Sequence, residues 1–140
     1  MKPAFCFNHV SVFGAPAHVA QLVSHVEGAM DYEFEHTLNG QPTLGQLFCF
    51  AKIIPYQGKL DAEVSLDKWS SKCDALDVRL DYYQGNYASY KFETYWTPPF
   101  KIAHELRNQF VDVFISWFFL EPQAELCGFI KSGTKIKGVL

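Results

Sequence analysis

The chain is short of the signatures that mark common enzymes. It contains no Gly-x-Ser-x-Gly elbow, no Gly-rich phosphate loop, no His-Glu-x-x-His helix and no dinucleotide fingerprint. Cysteine is sparse and scattered: Cys6, Cys49, Cys73 and Cys127 make no Cys-x-x-Cys pair, so free and mostly buried thiols are expected. No run approaches the roughly 20 apolar residues of a membrane span. The opening MKPAFCFNHV lacks the apolar core of a signal peptide, so a reduced, cytoplasmic protein with no membrane partner is expected. His18 and His25 are seven apart rather than the four usual for a metal pair on a helix, and neither metal nor cofactor is expected. Positive charge is in deficit, with 12 Lys and Arg against 15 Asp and Glu and a net charge of −3. That balance argues against a general nucleic-acid binder and favours a protein partner. The one basic cluster, Lys131, Lys135 and Lys137, reads as a solvated tail.

What the chain does have is apolar and aromatic mass. At 140 residues, 49% apolar and 16% aromatic, it reads as one domain, 1–140, with a core of large rings. Phe5 to Phe13 reads as a strand closed by Gly14. After Pro16, the residues Val19, Leu22, Val23, Val26 and Met30 recur at helical spacing. Residues 31–71 are irregular, an insertion punctuated by Gly and Pro and biased acidic by Asp31, Glu33, Glu35, Asp61, Glu63 and Asp67. Within it LFCFAKII, Leu47 to Ile54, reads as a buried extended segment stopped by Pro55.

Alternation then becomes regular. Leu76, Val78, Leu80 and Tyr82 share one face of a strand, and Tyr90, Phe92, Thr94 and Trp96 face inward on the next, which makes a hairpin. Charge pairing sets Arg79 opposite Glu93 and Asp81 opposite Lys91, because like charges directly opposed are unfavourable. Thr97 is expected to cap a helix with Pro98 at its first position, carrying Ile102, Leu106 and Phe110 on one face. Val113 to Leu120 is continuously apolar and reads as a central strand, with a last strand over Leu126 to Ile130. This order predicts an α+β, ferredoxin-like antiparallel sheet with two helices on one face and the insertion after the first helix.

The sharpest constellation joins WSSKCDALD, Trp69 to Asp77, with FETYWTPP, Phe92 to Pro99. Trp69, Lys72, Asp74, Asp77, Glu93 and Trp96 are the candidate partner-binding residues, since aromatics at polar-rimmed edges form binding hot spots. In the structural alternative Trp96 is core and Lys72 pairs with Asp74 or Asp77. An enzymatic corner of Lys72, Asp74, Asp77 and Glu93 is weighed against ordinary ion pairs, which the same residues make more often. An RNA-recognition sheet is a further comparison, but YASYKFETY lacks the basic-Gly-aromatic signature.

The same motifs carry a resemblance. Asn8-His9-Val10, Lys52-Ile53-Ile54-Pro55, Trp69-Ser70-Ser71-Lys72-Cys73-Asp74-Ala75 and Phe92-Glu93-Thr94-Tyr95-Trp96-Thr97-Pro98-Pro99 occur in order. The chain thereby resembles the Api-like ferredoxin-domain family of bacterial plasmids, integrative elements and prophages. Ser70 and Cys73 stand where that family's pattern has Gly and Trp. The resemblance implies the fold and a mobile-element setting, and no chemistry. The resulting expectation is a non-enzymatic inhibitor of a host protein, most concretely a counter-defence factor of anti-CRISPR or anti-restriction type acting on a defence nuclease complex. The alternative is a nucleic-acid-binding accessory of plasmid or phage maintenance.

Overall fold

The computed structural model describes residues 4–28, 32–34, 47–55, 58–60 and 62–131. Met30, Asp31, Glu35, Asp61, Lys135 and Lys137 lie outside the described residues, and Glu33 is described in its backbone alone. The chain runs β1 (Phe5–Phe13), α1 (Pro16–Val26), β2 (Tyr32–Phe34), α2 (Phe50–Ile53), β3 (Gly58–Leu60), α3 (Ala62–Trp69), β4 (Leu76–Gln84), β5 (Tyr87–Tyr95), α4 (Phe100–Gln109), β6 (Phe114–Glu121) and β7 (Leu126–Phe129). It is an α+β protein. Five strands form an antiparallel sheet in the order β4-β5-β1-β6-β7, and β2 and β3 pair in parallel as a separate ribbon.

One face of the large sheet meets the helices. Val10 and Val12 of β1, Ala88, Tyr90 and Phe92 of β5, and Ile115 and Trp117 of β6 pack with Val19, Leu22 and Val26 of α1 and with Ile102, Ala103 and Leu106 of α4. The rings expected to fill the core do so: Phe48 lies 5.0 Å from both Tyr90 and Phe92, and Phe50 lies 5.8 Å from Trp69. Tyr90 is fully buried and its hydroxyl has no hydrogen-bond partner among the described residues. Tyr90→Phe is therefore expected to cost no stability and to add up to ~1 kcal/mol in a denaturant titration, because an unpaired buried hydroxyl retains its desolvation penalty.

The quoted motifs interlock inside this core. Asn8 is buried; its amide donates to Thr94 Oγ1 (3.2 Å) and its oxygen accepts from Trp117 Nε1 (3.0 Å). Thr94 in turn donates to the Thr97 carbonyl at 2.7 Å. Trp69 is fully buried and donates through Nε1 to the Ile54 carbonyl at 2.9 Å. Asp74, 1% exposed, accepts from the backbone N–H groups of Phe50 (2.7 Å), Ala51 (3.3 Å) and Ala75 (2.7 Å) and from the Cys49 thiol (3.4 Å). It caps the start of α2 from a distant part of the chain, satisfying donors that have no partner within the helix.

Four expectations are corrected. LFCFAKII is not extended: Phe50–Ile53 is a short helix, whose opening N–H groups Asp74 satisfies. Thr97 does not cap α4, which begins at Phe100 behind Pro98 and Pro99. The Thr97 hydroxyl donates instead to the Ser70 carbonyl (3.4 Å), and Ser70 Oγ accepts the Lys101 N–H (3.3 Å). Trp96 does not continue the inward face of β5; its φ of 70° breaks the alternation and leaves it 43% exposed.

The hairpin register differs as well. Arg79 lies opposite Lys91, Leu80 opposite Tyr90 and Leu76 opposite Glu93. A two-residue turn, Gly85–Asn86, sets the pairing of Gln84 with Tyr87, and Gly85 takes the φ of 51° that such turns need. Irregularities between Leu76 and Arg79 and between Leu80 and Tyr82 then each add one residue to β4. Cross-strand charge pairs are worth only tenths of a kcal/mol, so turn geometry and bulges prevail. Neighbouring carboxylates relieve the like charges: Lys91 reaches Asp81 across the hairpin and Arg79 reaches Asp77 along its own strand, both at 3.4 Å.

Candidate functional site

The second face of the large sheet carries no helix among the described residues, yet it is rich in rings. Period-two alternation puts Phe5, Phe7, His9, Ser11 and Phe13 of β1 on it, and the registers place the neighbours. Phe13 lies between Tyr87 and Phe114, with ring centroids 4.6 and 6.2 Å away, and Tyr82 lies 5.5 Å from Tyr87. Ser11 lies between Ser89 and Ser116, a narrow polar row. Beyond it His9 lies between Lys91 and Phe118, and Phe7 between Glu93 and Leu120. Phe118 packs 5.3 Å from Phe129 of β7. Solvent reaches much of this surface: Phe7 and Phe13 are 45% exposed, Phe129 60% and Phe114 65%.

Polar groups on this face are few and mostly paired. His9 Nε2 and Ser89 Oγ share a hydrogen bond of 2.7 Å. Burial, reinforced by Lys91, holds the His9 imidazolium below its usual range, so His9 is neutral at pH 7. Burial raises the Glu93 carboxyl, and the charge and hydrogen bond of Asp77 raise it further, against Arg79. A carboxyl raised above its unfolded value keeps its stabilising proton at low pH and loses that contribution as pH rises through the folded value. Glu93→Gln is thus expected to raise the melting temperature relative to wild type by about 2 °C at pH 7, with no gain near pH 4. Equal gains at both values would contradict the assignment.

The six residues singled out from the sequence separate into three places. Trp69 and Asp74 are buried and belong to the core. Lys72 and Trp96 meet at the surface, with Lys72 Nζ 5.5 Å from the ring centroid, so Lys72 pairs with neither Asp74 nor Asp77. Asp77 and Glu93 lie on the open face of the sheet, around the cleft that Phe7, His9 and Leu120 also line. The loop and the strand end do come together, through Ser70 and Thr97, but one indole lies inside and the other outside. The exposed rings of β1, β6 and β7 went unmarked in the sequence. Their signal was the double apolar occupancy of Phe5 to Phe13 and of Phe114 to Leu120, which does not distinguish a covered face from an open one.

All four thiols are free; Cys6, Cys49 and Cys73 are buried and Cys127 is exposed. Burial pushes the Cys6 thiol up to about 11 and the Cys73 thiol to about 12, and Cys49 also upward, with Asp74 adding to the last two. Among the described residues no three His, Cys, Asp or Glu side chains gather as metal ligands, and no helix is long and apolar enough to cross a membrane. Glu63 and Asp67 of the acidic insertion are exposed on α3, and Lys131 is exposed.

The fold and this surface define an α+β protein with one helix-covered sheet face and one open aromatic face. Comparison with protein-family models, curated proteins and solved structures finds no match for the chain.

Proposed function

We propose that this is a non-enzymatic binding protein that docks on a partner protein through the open face of its sheet. The observation that carries the reading is the pair of aromatic clusters on either side of the Ser11 row, Phe13 with Phe114 and Phe118 with Phe129, on the sheet face that no described helix covers. Exposed apolar patches of this kind mark interaction sites, and rings supply most of the energy of protein interfaces. Lys91 and Arg79 are already paired with Asp81 and Asp77, which leaves Glu93 as the surplus charge near the patch. A partner surface that is apolar at its centre and basic at its rim is the complement.

In this reading the fold is ferredoxin-like. The order β4-β5-β1-β6, with α1 and α4 on one face, follows the split β-α-β plan, β2 to α3 being the insertion and β7 an added edge strand. The Api-like resemblance draws support from Ser70, whose φ of 59° is a conformation that glycine, the family's residue there, adopts without steric cost. On that resemblance the most concrete function is inhibition, in the cytoplasm, of a defence nuclease complex on behalf of a mobile element. A nucleic-acid accessory is the second reading, favoured by exposed sheet aromatics on which bases could stack.

Affinity capture from host lysate with wild type, with Phe13→Asp/Phe114→Asp and with Gln21→Glu/Ser24→Asp tests the proposal. A partner retained by wild type and by the α1 variant but lost by the sheet variant supports it. Equal retention by all three contradicts it. Gel shifts with single-stranded nucleic acid that weaken steeply with salt would favour the second reading instead.

A further inference from the structure

The middle of the open face is not flat. Phe7, His9, Phe118 and Leu120, neighbours across β1 and β6, form the apolar floor of a cleft of about 340 Å³. Asp77, Arg79, Lys91 and Glu93 of β4 and β5 form its charged wall. The wall is unevenly matched. Arg79 and Lys91 each have a carboxylate at 3.4 Å, in Asp77 and Asp81, whereas Glu93 forms no ion pair among the described residues and faces the Asp77 carboxyl. The bulge creates this juxtaposition: Asp77 lies in the extra-residue segment between Leu76 and Arg79, with φ 50°, a left-handed backbone that a non-glycine residue rarely adopts.

A carboxylate without an ion pair above aromatic rings, Glu93 here, is the complement of a flat cation. A guanidinium stacks on ring faces, whose quadrupole is negative, and meets carboxylates with a planar fork of donors. Its three-carbon stem suits an apolar floor. A phosphate or carboxylate would have to displace Asp77 and Asp81 from their cations and then sit beside Glu93, which disfavours it. We infer that this cleft seats an arginine side chain presented by the partner protein, its guanidinium against Glu93 and its stem over Phe7 and Leu120. The inference rests on the reading of the open face as the docking surface and names its central contact.

Titration of the isotopically labelled full chain with N-acetyl-arginine-methylamide, followed by NMR, tests it. Saturable shifts at the amides of Phe7, His9, Glu93 and Leu120 are expected, at least threefold weaker with the lysine analogue and absent with the glutamate analogue. Glu93→Gln is expected to weaken arginine binding tenfold or more while leaving the remaining amide spectrum in place. Absence of a saturable arginine response, preference for the glutamate analogue, or wild-type binding by Glu93→Gln would each overturn the inference. Capture of a partner that is lost in Phe13→Asp/Phe114→Asp, together with a cleft indifferent to arginine, would overturn this contact alone and leave the docking face standing.

Discussion

Asp74→Ala is expected to lower the free energy of unfolding by about 3–5 kcal/mol. The carboxylate is 1% exposed and accepts three backbone N–H groups and one thiol. Its removal leaves the Phe50 and Ala51 donors buried at the start of a four-residue helix that has no side-chain cap of its own. That helix holds Phe50 against Trp69 and Phe92, so its loss would open the aromatic core. Asp74→Asn retains one acceptor and is expected to cost about half as much. Guanidinium titration followed by near-ultraviolet circular dichroism and tryptophan fluorescence reads both values, since Trp69 and Trp117 are fully buried. A loss below about 1 kcal/mol for Asp74→Ala would mean that α2 does not depend on this cap.

Phe13→Asp/Phe114→Asp is expected to weaken partner binding by about 100-fold or more while leaving the fold intact. The two rings are 6.2 Å apart on adjacent strands and are 45% and 65% exposed, so their loss opens no cavity in the core. In a complex the same rings would be desolvated, and two carboxylates in their place would enter an apolar contact without partners. Two carboxylates directly opposite one another and the loss of two half-buried rings should lower stability by about 2–3 kcal/mol without unfolding the chain, while affinity falls by several. Denaturation and binding measured on the same preparation separate these effects. A variant that loses both together would place the two rings in the folding core instead.

The strands of the large sheet and the helices α1 and α4 are legible because their periodicity is strong, whereas β2, β3 and α3 lie in the stretch 31–71 that reads as irregular. The Phe5 and Phe13 limits of β1 match the pattern, and Val19, Leu22 and Val26 mark the buried side of α1. Leu47 to Ile54 is not legible, because a short apolar run fits a buried strand or a buried helical turn equally well, and the deciding partner, Asp74, is more than twenty residues away. The hairpin register is not legible for a different reason: complementary charges are weak beside a tight turn and two bulges. At the site, the two motif segments were correctly brought together, but Trp69 and Asp74 turn inward to build the core. The open aromatic face escaped notice because hydrophobicity along a strand reports which residues resist water. Whether another layer covers them is decided by topology, here by placing every described helix on the other side.

The most direct measurement of the docking face is hydroxyl-radical footprinting of the chain, free and in complex with its captured partner. Protection concentrated at Phe7, Phe13, Phe114 and Phe129, with Leu66 and Val111 labelled equally in both states, is the predicted result. Protection at Leu66 and Phe100 beside α3 and α4, with the sheet phenylalanines still fully labelled, would contradict it.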